Sequence, residues 1–299
     1  KNLFIVPVLF GALQCAVLPF FPESPSYLYQ TRGREAAMAS LRRLQPDDGA
    51  VDTYLDLIKE EIEAVDESKG NFTTRDLFCS KNLRKQLVVG IAVQLMMQFS
   101  GIDAVFYYST SIFYRAQVDD PELATTLLGI VNVLVTIVAV KYMDSAGRKR
   151  LLTISWIGLL ASYVVLTMSF VLKPYFEFMD KQRVDYCFII YQQVSVAAMT
   201  GVIVFFAFGP GCIACFIIAE IFPLYARDTA MAVGIFINWA ANWFVAFTFP
   251  HLLEFTQPHS FLVFVGTSAF FLYFTIKFVP ETKGLTVAQV TDETTSAGA

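Results

Sequence analysis

An all-α integral membrane protein of seven spans is the fold class this sequence predicts, and three observations carry it. Of the 299 residues, 56% are hydrophobic and only 16% charged, with a mean hydropathy of +0.54. A soluble domain carries about a quarter charged residues. The apolar residues gather in seven runs, at roughly 3–21, 87–113, 124–143, 151–172, 187–219, 229–250 and 260–279. Each reaches or approaches the ~20 residues that let a helix cross a bilayer. Lys and Arg fall on alternate connections. The 22–86 segment carries ten, the third-to-fourth turn Lys141, Arg148, Lys149 and Arg150, the fifth-to-sixth loop Arg227, and the last edge Lys277 and Lys283. The other loops hold only Arg115, Lys173, Lys181 and Arg183. Basic loops stay on the cytoplasmic side, so these connections and the C-terminus are expected there, with Lys1 outside.

The same composition excludes other classes. A net charge of −4, with basic residues beside acidic ones, gives no case for nucleic acid. Cys15, Cys79, Cys187, Cys212 and Cys215 form an odd set. Cys212 and Cys215 have CxxC spacing, but in an apolar stretch without another Cys or His pair, so they read as small buried residues and not as a redox or metal site. His251 and His259 are eight apart and face no nucleophile in the sequence. No enzyme chemistry, cofactor or metal is expected.

Taken in order, residues 1–21 form the first span. A chain that starts at Lys1 outside, without Met or a signal sequence, is expected to follow upstream spans, as the C-terminal portion of a longer protein. Residues 22–86 are too many for a connection and are expected to be a cytoplasmic helical linker, with helices over 33–44 and 54–67. In the second of these Leu55, Ile58, Ile62 and Val65 share one face. Glu60, Glu61, Glu63, Asp66 and Glu67 cover the other. The sequon at Asn71, Phe72 and Thr73 is expected to stay unmodified on the cytoplasmic side. Residues 87–283 hold six spans. The second and fifth runs contain Gly, and Gly209, Pro210 and Gly211 interrupt the fifth. The tail, 284–299, is small and polar from Thr286 and is expected to be disordered.

The polar residues of the second span carry the chemistry. Gln94, Gln98, Ser100, Asp103, Tyr107, Tyr108, Ser109 and Thr110 lie inside an apolar run. Polar groups are costly in lipid, so this span should face protein or a watery cavity and form a solute-binding wall. Acids and bases recur together at one membrane face, as Glu23, then Asp144 with Arg148 and Lys149, then Glu220 with Arg227, then Glu281. Positive charge alone would anchor topology. The recurring acids favour a network that closes that face, because orientation depends little on Asp and Glu.

These residues resemble the sugar porter family of the major facilitator superfamily, the facilitative hexose transporters. The matches are PESP at 22–25, QFSGIDAVFYYSTSIF at 98–113, DSAGRK at 144–149, GPG at 209–211, AEIFP at 219–223, Arg227, NWAAN at 238–242 and PETKG at 280–284. They run in family order over nearly the whole chain. The resemblance implies twelve spans in two halves, of which these would be the sixth through twelfth. Substrate would lie between the halves at mid-depth, with alternating access by rocking. The upstream N-terminal half, absent from this chain, would supply the other wall.

By that resemblance Gln94, Gln98 and Asp103 contact sugar from the second span and Asn242 from the sixth, while Trp239 and Phe206 line the path. For these two aromatics, ordinary helix packing is the alternative. Tyr107 and Tyr108 would close the outer gate. Asp144, Arg148, Lys149, Glu220, Arg227 and Glu281 would form the inner one. Independently of the family, amides carry a donor and an acceptor each, as hydroxyl pairs on a hexose require, and aromatics cover a sugar's apolar ring face. The chain departs from the family at Met97, Asp103, Ala207, Cys212 to Cys215 and Ser26. Asp103 stands where the family has asparagine. It could act as a carboxylate, as a protonated acid or in proton coupling. The expected activity is uniport of a hexose, glucose first, by a multi-pass protein of the plasma membrane. A fructose-preferring or proton-coupled carrier, a seven-span receptor, and a truncated fragment that does not transport are the alternatives.

Overall fold

The computed structural model describes residues 5–44, 48–67, 72–176, 181–256 and 259–284, and all regular structure among them is helical. The chain divides into two compact units, Lys1–Asn71 and Phe72–Ala299. In the first, α1 (Ile5–Val17) is followed by a tight turn, α2 (Pro25–Arg32), α3 (Arg34–Leu44) and α4 (Asp48–Glu67). Helix α1 exposes Val8, Leu9, Phe10 and Leu13. Pro25 opens α2, where its missing N–H costs nothing. The two helices expected in the linker are α3 and α4, with α4 beginning earlier than its apolar spacing implied. Leu28, Ala37, Leu41, Val51 and Leu55 form the core of this unit. Ser40 Oγ donates to Glu23 O at 2.6 Å and fixes the entry to α2.

The second unit holds α5 (Thr74–Cys79), α6 (Arg84–Phe99), α7 (Ile102–Arg115), α8 (Pro121–Ala146), α9 (Arg148–Phe176), α10 (Lys181–Phe208), α11 (Pro210–Ile221), α12 (Leu224–Phe255) and α13 (Leu262–Phe278). Among the described residues, five stretches are long and apolar enough to cross a membrane: Arg84–Tyr114, Pro121–Met143, Arg148–Leu172, Ile189–Ile221 and Tyr225–Phe255. Pro7–Phe20 and Leu262–Phe278 are shorter apolar helices at the first and seventh expected runs. Helix α9 packs against both α10 and α13, and α12 lies along α6. Helix α8 shows Leu127, Ile130, Val133, Leu134 and Ile137 outward.

Two spans are broken. The second splits between α6 and α7 at Ser100 and Gly101, where Gly101 has φ +82°. A Cβ there would lie 2.6 Å from the Tyr163 hydroxyl and 2.7 Å from the Phe264 ring, so both the backbone angle and the space demand glycine. The fifth splits between α10 and α11 at Gly209. A break in a span frees backbone groups that lipid cannot satisfy. Buried Tyr163 therefore donates to Ser100 O at 2.6 Å, and Thr267 Oγ1 to Phe99 O at 2.9 Å. Tyr163 sits in an aromatic cluster with Phe249, Phe261 and Phe264, at centroid distances from 5.4 to 6.4 Å.

Candidate functional site

Two i,i+4 amide pairs build the site. Gln94 and Gln98 lie one turn apart on α6, and Asn238 and Asn242 one turn apart on α12. Residues four apart share a helix face, and α12 runs along α6, so the pairs meet. Gly234 lets the helices close, because a Cβ there would approach Ile218 Cδ1 to 2.6 Å and Gln94 Cγ to 3.4 Å. The amides form a row. Asn242 Nδ2 donates to Asp103 Oδ2 at 2.7 Å and to Gln98 Oε1 at 3.4 Å. Gln98 Nε2 donates to Asn238 Oδ1 at 2.8 Å, and Asn238 Nδ2 to Gln94 Oε1 at 2.9 Å. Gln94 Nε2 ends the row on the backbone carbonyl of Ala214 in α11, at 3.3 Å.

Burial separates the two ends of this row. Gln94 is 1% exposed, Gln98 4% and Asn238 9%. Asn242 and Asp103 are half-buried and mark the open end. The row thus brings together Gln94, Gln98, Asp103 and Asn242, the four polar residues expected to act together. Asn238, expected only as part of a motif, is its central link. Its signal in the sequence was the one-turn spacing to Asn242 opposite the one-turn spacing of the glutamines. Trp239, the residue after Asn238 on α12, has 66% of its surface exposed. Phe206 instead is buried beside the Gly209 break, its ring where a Cβ on Gly211 would fall. The paired tyrosines separate: Tyr107 is exposed, while Tyr108 donates to Ala246 O at 3.1 Å and lies 5.5 Å from the Phe249 ring.

A second polar cluster lies at one end of the bundle. Arg148 opens α9, and its guanidinium meets Glu220 Oε1 at 2.9 Å through Nη2 and 3.2 Å through Nε. Its backbone N–H donates to Glu281 Oε1 at 2.8 Å, an anion at a helix N-terminus. Gly147, with φ +88°, lets the turn close over Glu281, whose Oε2 would touch a Cβ at 2.7 Å. The Thr282 hydroxyl donates to Glu220 Oε2, and Lys283 Nζ to Ser145 O at 2.6 Å. Three helix ends are thereby tied by Arg148, Glu220 and Glu281, joined by Thr282 and Lys283, which were expected only as part of the 280–284 motif. Among the described residues, the Lys149 side chain has no ion pair and Arg227 Nε is buried without a hydrogen-bond partner. The Asp144 side chain lies outside the described residues. No group of His, Cys, Asp and Glu among the described residues could hold a metal.

The family model described as Sugar (and other) transporter matches residues 1–293. Solute carrier family 2, facilitated glucose transporter member 2 of Gallus gallus is 37% identical over 291 residues, covering 95% of this chain and 52% of the relative. Member 3 of Rattus norvegicus is 37% identical, covering 97% and 56%. The chain spans about half the length of the curated relatives it matches. Among solved structures, the MFS (major facilitator superfamily) proton:xylose symporter XylE bound to 6-bromo-6-deoxy-D-glucose superposes with a TM-score of 0.78 at 24% identity, over 98% of this chain and 58% of that one. The inward open conformation of the xylose transporter XylE from E. coli gives 0.63 at 25% identity, over 94% and 54%. The first of these likenesses carries the fold alone, and the fold is that of the major facilitators. With the family model covering nearly its whole length, the chain belongs to the sugar transporter family.

Proposed function

We propose that this chain is the C-terminal portion of a multi-pass plasma-membrane carrier that moves a hexose, glucose first, down its gradient by alternating access. The observation that carries this reading is the amide row, whose open end is formed by the half-buried Asn242 and Asp103. Uncharged amides suit hydroxyls that each donate and accept, and Trp239 suits the apolar face of a sugar ring. Gln94 and Asn238 then hold the contact residues, while Phe206 is packing. Tyr107 belongs to the outer gate, with Tyr108 bracing it on α12. The corner of Arg148, Glu220 and Glu281 is the inner gate at the cytoplasmic face, with the C-terminus on the same side. The opposing wall comes from an upstream half. The relatives named facilitated glucose transporters support glucose as the sugar.

The test is uptake by the complete protein with glucose, fructose and galactose in competition. Glucose should compete best. Preference for fructose would move the substrate, and uptake of no hexose would refute the carrier reading. Proton coupling is a second reading, favoured by the Asp103 carboxylate. It requires accumulation driven by a proton gradient and lost in Asp103→Asn.

A further inference from the structure

The first turn of α11 carries two thiols that the carrier reading leaves unused. Ile213, Ala214, Ile217, Ile218 and Ile221 are buried, and α11 packs against α6. Cys212 and Cys215 lie on the opposite face of the helix: Cys215 is exposed, Cys212 is half-buried, and both thiols are free. Their apolar context predicts small buried residues, but the phase of the helix turns them outward. They are one turn apart, with Cα atoms about 5 Å from each other by helix geometry, inside the window that a disulfide spans. The turn starts at the Gly209 break, where Cys212 N–H donates to Gly209 O at 3.2 Å. The carbonyl between the two thiols is the one that anchors the amide row. Ala214 O accepts from Gln94 Nε2 at 3.3 Å, past the usual range of about 2.7–3.2 Å.

We propose that Cys212 and Cys215 are a reversible redox pair whose co-reactant is a small soluble disulfide of the glutathione class. The exposed Cys215 loses its proton to water and attacks one sulfur of that disulfide. The small S–S bond breaks, a mixed disulfide forms on Cys215, and one thiolate leaves and takes up a proton. Cys212 then loses its proton and attacks Cys215 Sγ, which releases the second small thiol and closes the Cys212–Cys215 bond. Two thiols of the chain are oxidised, and one small disulfide is reduced to two thiols. Helical positions three apart hold their Cβ atoms about 5–6 Å from each other, while a disulfide needs about 3.5–4.5 Å. Closure therefore tightens the turn by roughly 1 Å. That displaces Ala214 O, and the long bond to Gln94 is lost. A strained disulfide is readily reduced, so the pair reopens when thiols are plentiful. Oxidation on the open face of α11 thus unfastens the buried end of the amide row. The effect on transport rests on the hexose-carrier reading above; the redox pair itself does not.

The experiment treats the purified complete protein with oxidised glutathione and then with dithiothreitol. Mass spectrometry after alkylation reads the two cysteines, and melting and glucose uptake in liposomes are measured beside it. Oxidation should leave the peptide that holds Cys212 and Cys215 unalkylated, uncrosslinked and free of bound glutathione. It should lower the melting temperature and raise the KM for uptake roughly tenfold, the scale of one buried hydrogen bond. Dithiothreitol should restore all three. Cys212→Ser should stop at the mixed disulfide and keep one glutathione on Cys215. Cys215→Ser should match the untreated protein in uptake and melting and resist the oxidant in both, with Cys215→Ala as the second variant if serine destabilises the span. Cys15→Ser, Cys79→Ser and Cys187→Ser combined should stay sensitive. Cysteines at 212 and 215 that alkylate fully after the oxidant overturn the inference and leave the carrier reading intact. So does an oxidant effect that survives in Cys215→Ser, and so does a closed disulfide that leaves robust glucose uptake unchanged. Absence of hexose uptake in both redox states removes the carrier reading, while mass and melting still decide the redox pair.

Discussion

The amide row and the charged corner are both polar networks tying helices of one bundle, yet they are built from opposite materials. The row is neutral apart from its open end, buried, and closed by groups that each give and take a hydrogen bond. The corner is ionic and partly wet, with the side chains of Arg148 and Glu220 13% and 27% exposed. Buried amides bond through fixed geometry, and stranding one of them leaves an unsatisfied group. Charges near water hold each other while they are close and are rehydrated when they part. The row is therefore suited to recognition, which needs one arrangement, and the corner to opening, which needs two.

This contrast can be broken experimentally, and the largest effect belongs to Asn238. Asn238→Ala removes the link between Gln94 Oε1 and Gln98 Nε2. It should cost about 2 kcal/mol of stability in the melting of the complete protein and raise the KM for sugar uptake roughly tenfold, with kcat less affected. Ionic strength should not change either outcome. Arg148→Ala is next. It leaves Glu220 with the Thr282 hydroxyl alone and removes a tie between α9 and α11, costing about 1 kcal/mol at low salt and less at high salt. In accessibility labelling it should shift the complete protein away from the outward-open state. If Asn238→Ala were sensitive to salt and Arg148→Ala were not, the distinction between the two networks would be lost.

The smallest effect is expected at the cap of α5, an exposed polar device outside both networks. Thr73 and Asp76 form a reciprocal cap, with Thr73 N–H donating to Asp76 Oδ2 at 2.9 Å and the Thr73 hydroxyl at 2.7 Å. The hydroxyl of Thr73, then its backbone N–H, hold the Asp76 carboxyl below its ordinary range, with Arg75 adding to the effect. A depressed carboxyl contributes stability above its unfolded pKa and loses it as pH falls through the folded one. Amide exchange over α5, corrected for intrinsic rates, should thus lose protection in acid. In Asp76→Asn it should be flat with pH and close to the acid level throughout.

How legible all this was depends on range. The apolar runs and the Gly-Pro-Gly break announce themselves locally, because lipid imposes length and composition residue by residue. So do α3 and α4, through period and charge. The Gly101 break is hidden in a continuous apolar run, since its cause lies on other helices, in the Tyr163 hydroxyl and the Phe264 ring. The tie between Gln98 and Asn238 joins residues 140 apart, and that between Gln94 and Ala214 residues 120 apart. Motif position marked Gln98 and Asn242 but could not separate Trp239, which is exposed, from Phe206, which is buried. In the corner, charge alone could not distinguish Arg148, aimed at Glu220 from the start of a helix, from Lys149 one residue on.

A row of amides joined head to tail can run in either direction at nearly equal energy, as the protons in ice can. Here the degeneracy is lifted at one end. The carbonyl of Ala214 can only accept, so Gln94 must present its nitrogen there, and Asn238 and Gln98 must follow suit. Reversing the row would set two oxygens against each other in the interior, at a cost of about 1–3 kcal/mol. The donors and acceptors that the open end presents are therefore set by a backbone atom four links away. Without that carbonyl the row would lose its fixed direction while the wall itself stayed in place.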